Sequence, residues 1–231
     1  MSQAVDRIRV LKSNKFYRVG DLIFKKGVRW ERDRETVLSD DSFKGTILRS
    51  YLSNIDNSEG SANIGVLCDS ISQFCNLKKI TTPPRNSLSI QLRTGDLVGW
   101  PGVRANCYIF CIDHLLHAIE KHVDRNPSIN EICIVTAMHF GDNEINDQYY
   151  FTQDQLDKNK LLINNLLDKI AKKFENISLS VYHRPDMSDL EFIDAQLCYL
   201  VKSLNLILDR GGGFSSVIRE ARDFQNHGVK K

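Results

Sequence analysis

Apolar residues recur at helical spacing in the stretch that follows Ser61. They fall every three or four positions, which places them on one face of an amphipathic helix. The residues on that face are Ile64, Leu67, Cys68, Ile71, Phe74 and Cys75. The same periodicity predicts a second helix over residues 103–123, with Ile109, Leu116 and Val123 on its buried face.

Capping-box patterns mark the starts of two more helices. Thr152 is followed three residues later by Gln155, ahead of a stretch whose apolar residues again have helical spacing. Ser188 and Glu191 have the same relation ahead of the next such stretch. A last helix is predicted to begin near Phe214.

Four short apolar runs alternate with these helices and are predicted to be strands. They cover residues 87–92, 131–136, 179–182 and 204–208. Strands that alternate with helices of about ten or more residues are typical of parallel βαβ units. Residues 86–231 are therefore predicted to form an α/β, Rossmann-like domain, in which a parallel sheet carries helices on both faces.

The chain before residue 86 is predicted to form a small N-terminal lobe. Its first fifty residues alternate short apolar runs with basic turns, which indicates two or three short strands. Residues 81–84, Thr-Thr-Pro-Pro, favour an extended conformation and mark the boundary. The predicted domains are thus residues 1–85 and residues 86–231.

Composition narrows the classes of function. The formal net charge is only +2 over 231 residues, so a nucleic-acid partner held through its phosphates is not expected. No apolar run approaches the ~18 residues of a membrane span, and the N-terminus has no signal-peptide pattern. The six cysteines show no regular disulfide or CxxC spacing. We therefore expect a cytoplasmic protein with reduced thiols.

Three glycines at residues 211–213 join the last predicted strand directly to the last predicted helix. Glycine lets the backbone approach a ligand closely, and the N–H groups of a first helical turn attract an anion. Ser215 adds a hydroxyl donor. In an open parallel sheet this is also the carboxyl edge where ligands bind. The segment either holds a phosphate group or meets the steric need of a tight turn.

Arg93 follows the first strand of the same domain, with Gly95 and Asp96 directly behind it. An arginine at this edge can donate two parallel hydrogen bonds to a diphosphate and stabilise the charge on a departing nucleotide. Asp96 is the candidate base that deprotonates an acceptor hydroxyl, and Asp142 and Glu144 are alternatives. A surface Arg–Asp pair is the competing interpretation of this segment.

Taken together, these segments resemble the fucosyltransferase-like glycosyltransferases, most closely their small viral and algal relatives. Arg-Thr-Gly-Asp at 93–96 and Gly-Gly-Gly-Phe-Ser at 211–215 are similar to the family's His-x-Arg-x-Gly-Asp and Ser-x-x-Phe-Ser elements. Residues 139–142 resemble a His-x-Gly-Asp segment, and residues 189–192 an Asp-x-x-Phe helix start. The resemblance covers roughly residues 86–225.

The resemblance implies a GT-B-like architecture and an inverting, metal-independent transfer. The sugar, of the fucose or xylose type, would pass from a GDP- or UDP-linked donor to a carbohydrate acceptor, with no other cofactor. Arg93 would bind the donor diphosphate, Asp189 would lie near the nucleoside, and the N-terminal lobe would lie on the acceptor side. Further donor contacts are expected from His139, Gly212, Gly213, Phe214 and Ser215.

Two other functions stay open on the sequence. S-adenosylmethionine-dependent methyltransferases also use a parallel sheet, but their glycine loop usually follows the first strand, whereas here the glycines follow the last. A noncatalytic nucleotide- or glycan-binding module is the second alternative. It stays open because Gln91 stands where the family often has histidine, and because the N-terminal lobe is short.

Overall fold

The structure of the chain is a computed structural model, and the residues that it describes group into two compact units. The sheet unit comprises residues 2–11, 83–95, 107–140, 152–185 and 203–209. The helical unit comprises residues 30–55, 63–82, 186–202 and 213–227. Each unit is therefore assembled from segments that are distant in sequence.

The strands all belong to the sheet unit. In chain order they are β1 (Val10–Leu11), β2 (Ser87–Gln91), β3 (Thr94–Gly95), β4 (Glu131–Val135), β5 (Met138–His139), β6 (Ser178–Val181) and β7 (Asn205–Leu208). The main sheet is parallel, with the order β6-β4-β2-β7. A smaller parallel sheet has the order β1-β5-β3. All five residues of β2 are buried, as expected for an inner parallel strand.

Helices make up most of the rest of the described chain. They are α1 (Ser2–Asp6), α2 (Trp30–Ser39), α3 (Ile47–Asn54), α4 (Ile64–Leu77), α5 (Ile112–Arg125), α6 (Gln153–Lys173), α7 (Asp189–Lys202) and α8 (Gly213–His227). A short 3₁₀ helix covers Asp41–Phe43. No helix within the described ranges is long and apolar enough to cross a membrane.

The sheet unit has a hydrophobic core formed by its strands together with α5 and α6. Leu115 of α5 and Leu166 of α6 are fully buried in the same cluster as Ile90 and Ile134 of the sheet. The β2-α5-β4 and β4-α6-β6 connections step across the sheet in the same direction. Because such crossovers are right-handed, both helices lie on one face of the sheet.

The order of the strands reverses its direction at β2. The chain moves outward from β2 to β4 and β6, and then returns to the other side of β2 to form β7. The carboxyl ends of β2 and β7 therefore flank a topological switch point, the place where open parallel sheets bind ligands. The predicted α/β, Rossmann-like fold with a parallel sheet and flanking helices is confirmed.

In the helical unit, α4 packs against α3, α7 and α8. The apolar face predicted for α4 is its buried face, apart from Ile64 at its first turn, which is only half-buried. Every residue of α7 from 192 to 201 is buried. A helix that is buried all round has no amphipathic stripe, which is why its sequence gives a weaker periodic signal than that of α4.

The Ser188/Glu191 capping box forms in full, whereas Thr152 caps its helix without a return bond from the Gln155 side chain. The Thr152 hydroxyl accepts a hydrogen bond from the backbone N of Gln155 at 3.1 Å. The Ser188 backbone N donates to a Glu191 carboxylate oxygen at 2.9 Å, and the Glu191 backbone N donates to the Ser188 hydroxyl at 3.4 Å. These bonds satisfy N–H groups that a helix start otherwise leaves unpaired.

The strands predicted for the first fifty residues are mostly wrong where that segment is described. Only Val10–Leu11 forms a strand, while α2 and α3 are helices. Thr46 caps α3 by accepting a hydrogen bond from the backbone N of Arg49 at 3.2 Å. The buried residues of α3 share one helical face, so its short apolar runs belong to a helix: Ile47, Leu48, Tyr51 and Leu52. Residues 22–24, which form one of the apolar runs behind that strand prediction, lie outside the described residues.

Two other sequence expectations differ from the structure. The helix expected from residue 103 begins at Ile112, because residues 107–111 form a turn, and residues 103–106 are not among those described. The domain boundary expected near residue 85 lies close to residues 82 and 83, where the chain passes from the helical unit to the sheet unit. However, segments 186–202 and 213–227, which were assigned to the second domain, group with the helical unit.

Asp194 is a buried carboxylate on α7. Its Oδ2 accepts a hydrogen bond from the backbone N of Ile47, the first residue of α3, at 2.7 Å. The residue is 4% exposed. Desolvation raises the pKa of Asp194 to about 7, against the lowering effect of the Ile47 hydrogen bond, and the neighbouring Glu191 carboxylate raises it further. The protonated form is therefore the one that the folded state favours.

We expect Asp194→Asn to flatten the pH dependence of unfolding. An acid whose folded pKa lies above its unfolded value of ~3.9 contributes stability that is full below that value. This stability is lost as the pH rises through the folded pKa of about 7. Relative to the variant, the wild type should lose up to roughly 4 kcal/mol of unfolding free energy over this interval, measured by urea titrations across it.

The matched control is Asp69→Asn, which removes an exposed carboxylate from α4 in the same unit. It should leave the wild-type pH dependence unchanged. If the unfolding free energies of the wild type and Asp194→Asn changed with pH in parallel, a raised pKa of Asp194 would be contradicted.

Candidate functional site

Asp209 joins the two strand ends that flank the switch point. It directly follows β7 and is 1% exposed. Its Oδ2 accepts a hydrogen bond from the backbone N of Arg93 at 2.9 Å, just beyond β2. Its Oδ1 accepts from the backbone N of Tyr108 at 3.0 Å, in the turn before α5. One carboxylate thus holds three chain segments at this edge of the sheet.

The backbone of Asp209 adds a further tie to β2. Its N–H donates to the carbonyl oxygen of Gln91 and to the Oε1 of the same residue, each at 3.1 Å. Gln91 is 6% exposed, so its side-chain amide is used inside the protein. This explains how a glutamine is accommodated at the position where the resembling family often has histidine.

Beyond β2 and β4 the backbone bends into the smaller sheet, and two buried threonines occupy the bend. The Thr136 hydroxyl donates to the Leu92 carbonyl at 2.9 Å, and the Thr94 hydroxyl lies 2.9 Å from the Ala137 carbonyl. Thr94 is fully buried and Thr136 is 2% exposed. Carbonyl groups that leave the regular ladder at the bend are therefore satisfied by side chains.

Gly95 is the point of closest backbone approach in this region. It pairs with His139 in the smaller sheet and has a φ of +91°. A Cβ atom at this position would lie 2.6 Å from the backbone N of His139 and against its carbonyl oxygen. Glycine is required here both by the backbone conformation and by the space that β5 occupies.

Asn159 of α6 clamps the same glycine from the other side. Its Oδ1 accepts from the Gly95 N at 2.8 Å, and its Nδ2 donates to the Gly95 carbonyl at 2.9 Å and to the Gln155 carbonyl at 2.8 Å. Asn159 is fully buried. Its amide continues the hydrogen-bond ladder of β3 in the way that a further strand would.

The structure places two of the predicted site residues together in the sheet unit. Arg93 lies between β2 and β3 and is half-buried. His139 ends β5 and is also half-buried. Both lie beyond the carboxyl ends of main-sheet strands, as the sequence predicted.

The other described candidates lie in the helical unit. Asp189 is the first residue of α7 and is half-buried, beside the Ser188/Glu191 capping box. Gly213 and Phe214 open α8 and are half-buried, whereas Ser215 is 2% exposed. Asp96, Gly212, Asp142 and Glu144 lie outside the described residues.

The start of α7 also carries an ion pair. The ammonium of Lys78 hydrogen-bonds to the Glu191 carboxylate. This bond, with further hydrogen bonds from Ser188, holds the pKa of Glu191 below its ordinary value. The first turn of α7 is therefore fixed by side chains of its own unit.

Sequence reasoning missed Asp209, Asn159 and Thr136. The signal available for Asp209 was an acidic residue placed directly after a buried strand and two positions before the first of the three glycines. Asn159 had only a weak signal, a polar residue on the buried face of a predicted helix. Within the described ranges, no group of His, Cys, Asp and Glu side chains is arranged to hold a metal ion.

Comparisons of this chain with protein-family models, with curated proteins and with solved structures found no match.

We expect Gly95→Ala to be far more destabilising than Gly45→Ala. Both glycines have positive φ, +91° and +79°, but a Cβ at Gly45 meets no atom within 4 Å. Gly45→Ala should cost ~1–2 kcal/mol of unfolding free energy from the backbone conformation alone. Gly95→Ala should cost roughly 3 kcal/mol or more, because β5 must also move. Urea unfolding of both variants measures the difference. Equal losses of unfolding free energy would contradict the close approach of Gly95 to the His139 backbone.

We expect Asp209→Asn to lower the unfolding free energy by roughly 1–3 kcal/mol. An amide has one acceptor oxygen, so the backbone N of either Arg93 or Tyr108 would face an NH₂ group. Asp168→Asn is the matched control, since Asp168 is exposed on α6 of the same unit. Urea titration should show a lower unfolding free energy for Asp209→Asn only. Equal unfolding free energies of the two variants would argue against the structural role of the Asp209 hydrogen bonds.

Proposed function

We propose that this protein is a glycosyltransferase that moves a sugar of the fucose or xylose type from a nucleotide diphosphate donor to a carbohydrate acceptor. The proposed reaction inverts the configuration at the anomeric carbon and needs no metal ion. Arg93 is proposed to bind the donor diphosphate. The proposal rests on the sequence resemblance and on the position of Arg93 in the fold.

The observation that carries the proposal is the hydrogen bond between Asp209 and Arg93 at the switch point. Arg93 follows one of the two strands that flank the switch point, and Asp209 follows the other, two positions before the glycine segment. The carboxylate of Asp209 fixes the Arg93 backbone at the sheet edge where open parallel sheets bind nucleotides. A cation held at such an edge is suited to a diphosphate.

Charge development during the transfer gives Arg93 its proposed catalytic role. As the bond between the sugar and the diphosphate breaks, negative charge builds up on the departing nucleotide. The Arg93 guanidinium is proposed to stabilise this charge with two parallel hydrogen bonds. Asp96 is the proposed base that takes the proton of the acceptor hydroxyl, with Asp142 and Glu144 as alternatives.

The sequence resemblance also assigns donor contacts to the start of α8, which belongs to the helical unit. Backbone N–H groups of a first helical turn bind anions, and Gly213 is the first residue of this helix. Ser215 is 2% exposed, so we assign its contribution to its backbone N–H rather than to its hydroxyl. Phe214 and Asp189 are half-buried and keep their proposed donor-side roles.

Gly95 follows the first strand of the main sheet, where a methyltransferase usually carries its glycine loop. A cofactor loop after the first strand needs glycine so that a ligand can approach the backbone closely. At Gly95 that space is occupied by the backbone of His139, and both polar groups of the glycine are bonded to Asn159. This glycine serves packing within the protein.

A thermal-shift screen tests the proposal. The probes are GDP, UDP, GDP-fucose, UDP-xylose and S-adenosylmethionine. One nucleotide diphosphate series should raise the melting temperature by several degrees, since a ligand at a hundred times its Kd adds about 2.7 kcal/mol to stability. Arg93→Ala should weaken this binding about tenfold or more, because it removes charge-assisted hydrogen bonds.

Arg85→Ala is the matched control, since Arg85 is exposed in the same unit. It should keep the wild-type response. Addition of an acceptor glycan should release free nucleotide from the sugar conjugate, and Arg93→Ala should abolish this release. Stabilisation by S-adenosylmethionine alone would overturn the proposal, and nucleotide binding without any release would favour a noncatalytic module.

A further inference from the structure

A cavity of about 370 Å³ lies in the helical unit, apart from all the residues discussed above as donor contacts. One wall is the segment 44–53, which contains the turn before α3 and most of that helix. The other wall is the second half of α4, from residue 70 to residue 77. The cavity is large enough for a small ligand such as a monosaccharide derivative.

The charge lining this cavity is positive. Lys44 and Arg49 both line it, and none of the described residues that line it is acidic. The Arg49 Nη1 donates to the Asp40 carbonyl at 3.1 Å, which fixes the guanidinium in place. The carboxylate of Asp41 lies 3.8 Å from the same nitrogen but is 94% exposed, so solvent screens that pair. A net positive field therefore remains at this wall.

Polar groups on the α4 wall are available to a ligand. Ser70 is 2% exposed, lines the cavity, and its hydroxyl makes no hydrogen bond with the described residues. The Gln73 Oε1 accepts a hydrogen bond from the Ser50 hydroxyl at 3.4 Å, which leaves the Gln73 NH₂ group to donate. The Ser70 hydroxyl can therefore donate a hydrogen bond to a ligand in the cavity.

Most of the cavity lining is apolar. Phe74 lines it and is 3% exposed, whereas Leu77 lines it and is 70% exposed. Such an apolar surface suits the C–H face of a sugar ring. Anionic, hydroxyl-bearing and partly apolar groups in one small ligand are the chemistry of a sugar phosphate.

We propose that this cavity binds a phosphorylated monosaccharide. Lys44 and Arg49 bind the phosphate, Ser70 and Gln73 bind ring hydroxyls, and Leu77 packs on the ring. The inference does not depend on the proposed transferase reaction, because none of these residues is assigned to that reaction.

Isothermal titration calorimetry with glucose 6-phosphate tests the inference on the full chain, with glucose and inorganic phosphate as comparison probes. Saturable binding of the sugar phosphate, tighter than that of either comparison probe, is the expected result. Lys44→Gln and Ser70→Ala should each weaken it, the first by about tenfold because a charge-assisted hydrogen bond is lost.

Lys172→Gln is the charge-matched control, since Lys172 is exposed on α6 of the sheet unit. It should bind like the wild type, and so should Arg93→Ala, which separates this site from the proposed donor site. Absence of saturable binding, or equal weakening by Lys44→Gln and Lys172→Gln, would overturn the inference. Equal affinities for inorganic phosphate and the sugar phosphate would overturn the assignment of a sugar.

Discussion

The two hydrogen bonds accepted by the buried carboxylate of Asp209 are the constraint on which the carboxyl edge of the main sheet depends. A buried carboxylate is tolerated only when it is well hydrogen-bonded, so the backbone N–H groups of Arg93 and Tyr108 must stay in place. They lie more than 100 residues away in sequence, at separations of 116 and 101. One side chain therefore sets the relative position of β2, β7 and the turn that leads into α5.

A second constraint acts where the main sheet bends into the smaller one. Gly95 is pressed against His139 on one side and bonded to Asn159 on the other. The space beside Gly95 is taken by protein, whereas the glycines near residue 212 stand between a main-sheet strand and a helix start. A glycine motif becomes an argument for ligand binding only when the space beside it is not needed for packing.

Most helices and strands could be predicted because their signals are local. The apolar face of α4 and the Thr152 and Ser188 caps depend on residues three or four positions apart, and these were predicted. The structure of α3 was missed because short apolar runs fit a strand as well as a helix. Asp209 and Asn159 were missed for another reason. Asn159 bonds to Gly95, which is 64 residues away in sequence, and Asp209 bonds to Arg93, which is 116 residues away. No rule based on sequence spacing predicts such contacts.

The interleaving of the two units changes how the family-like motifs should be interpreted. Asp189 and Gly213 each stand shortly after the chain leaves the sheet unit, at the first residues of helices in the helical unit. Arg93 and His139 stand in the sheet unit, each just beyond a main-sheet strand. The motifs therefore mark places where chain direction and surroundings change. Burial then separates the members of one motif, because Ser215 is 2% exposed while Gly213 is only half-buried. The exposure of each member therefore decides whether its side chain or only its backbone can meet a ligand.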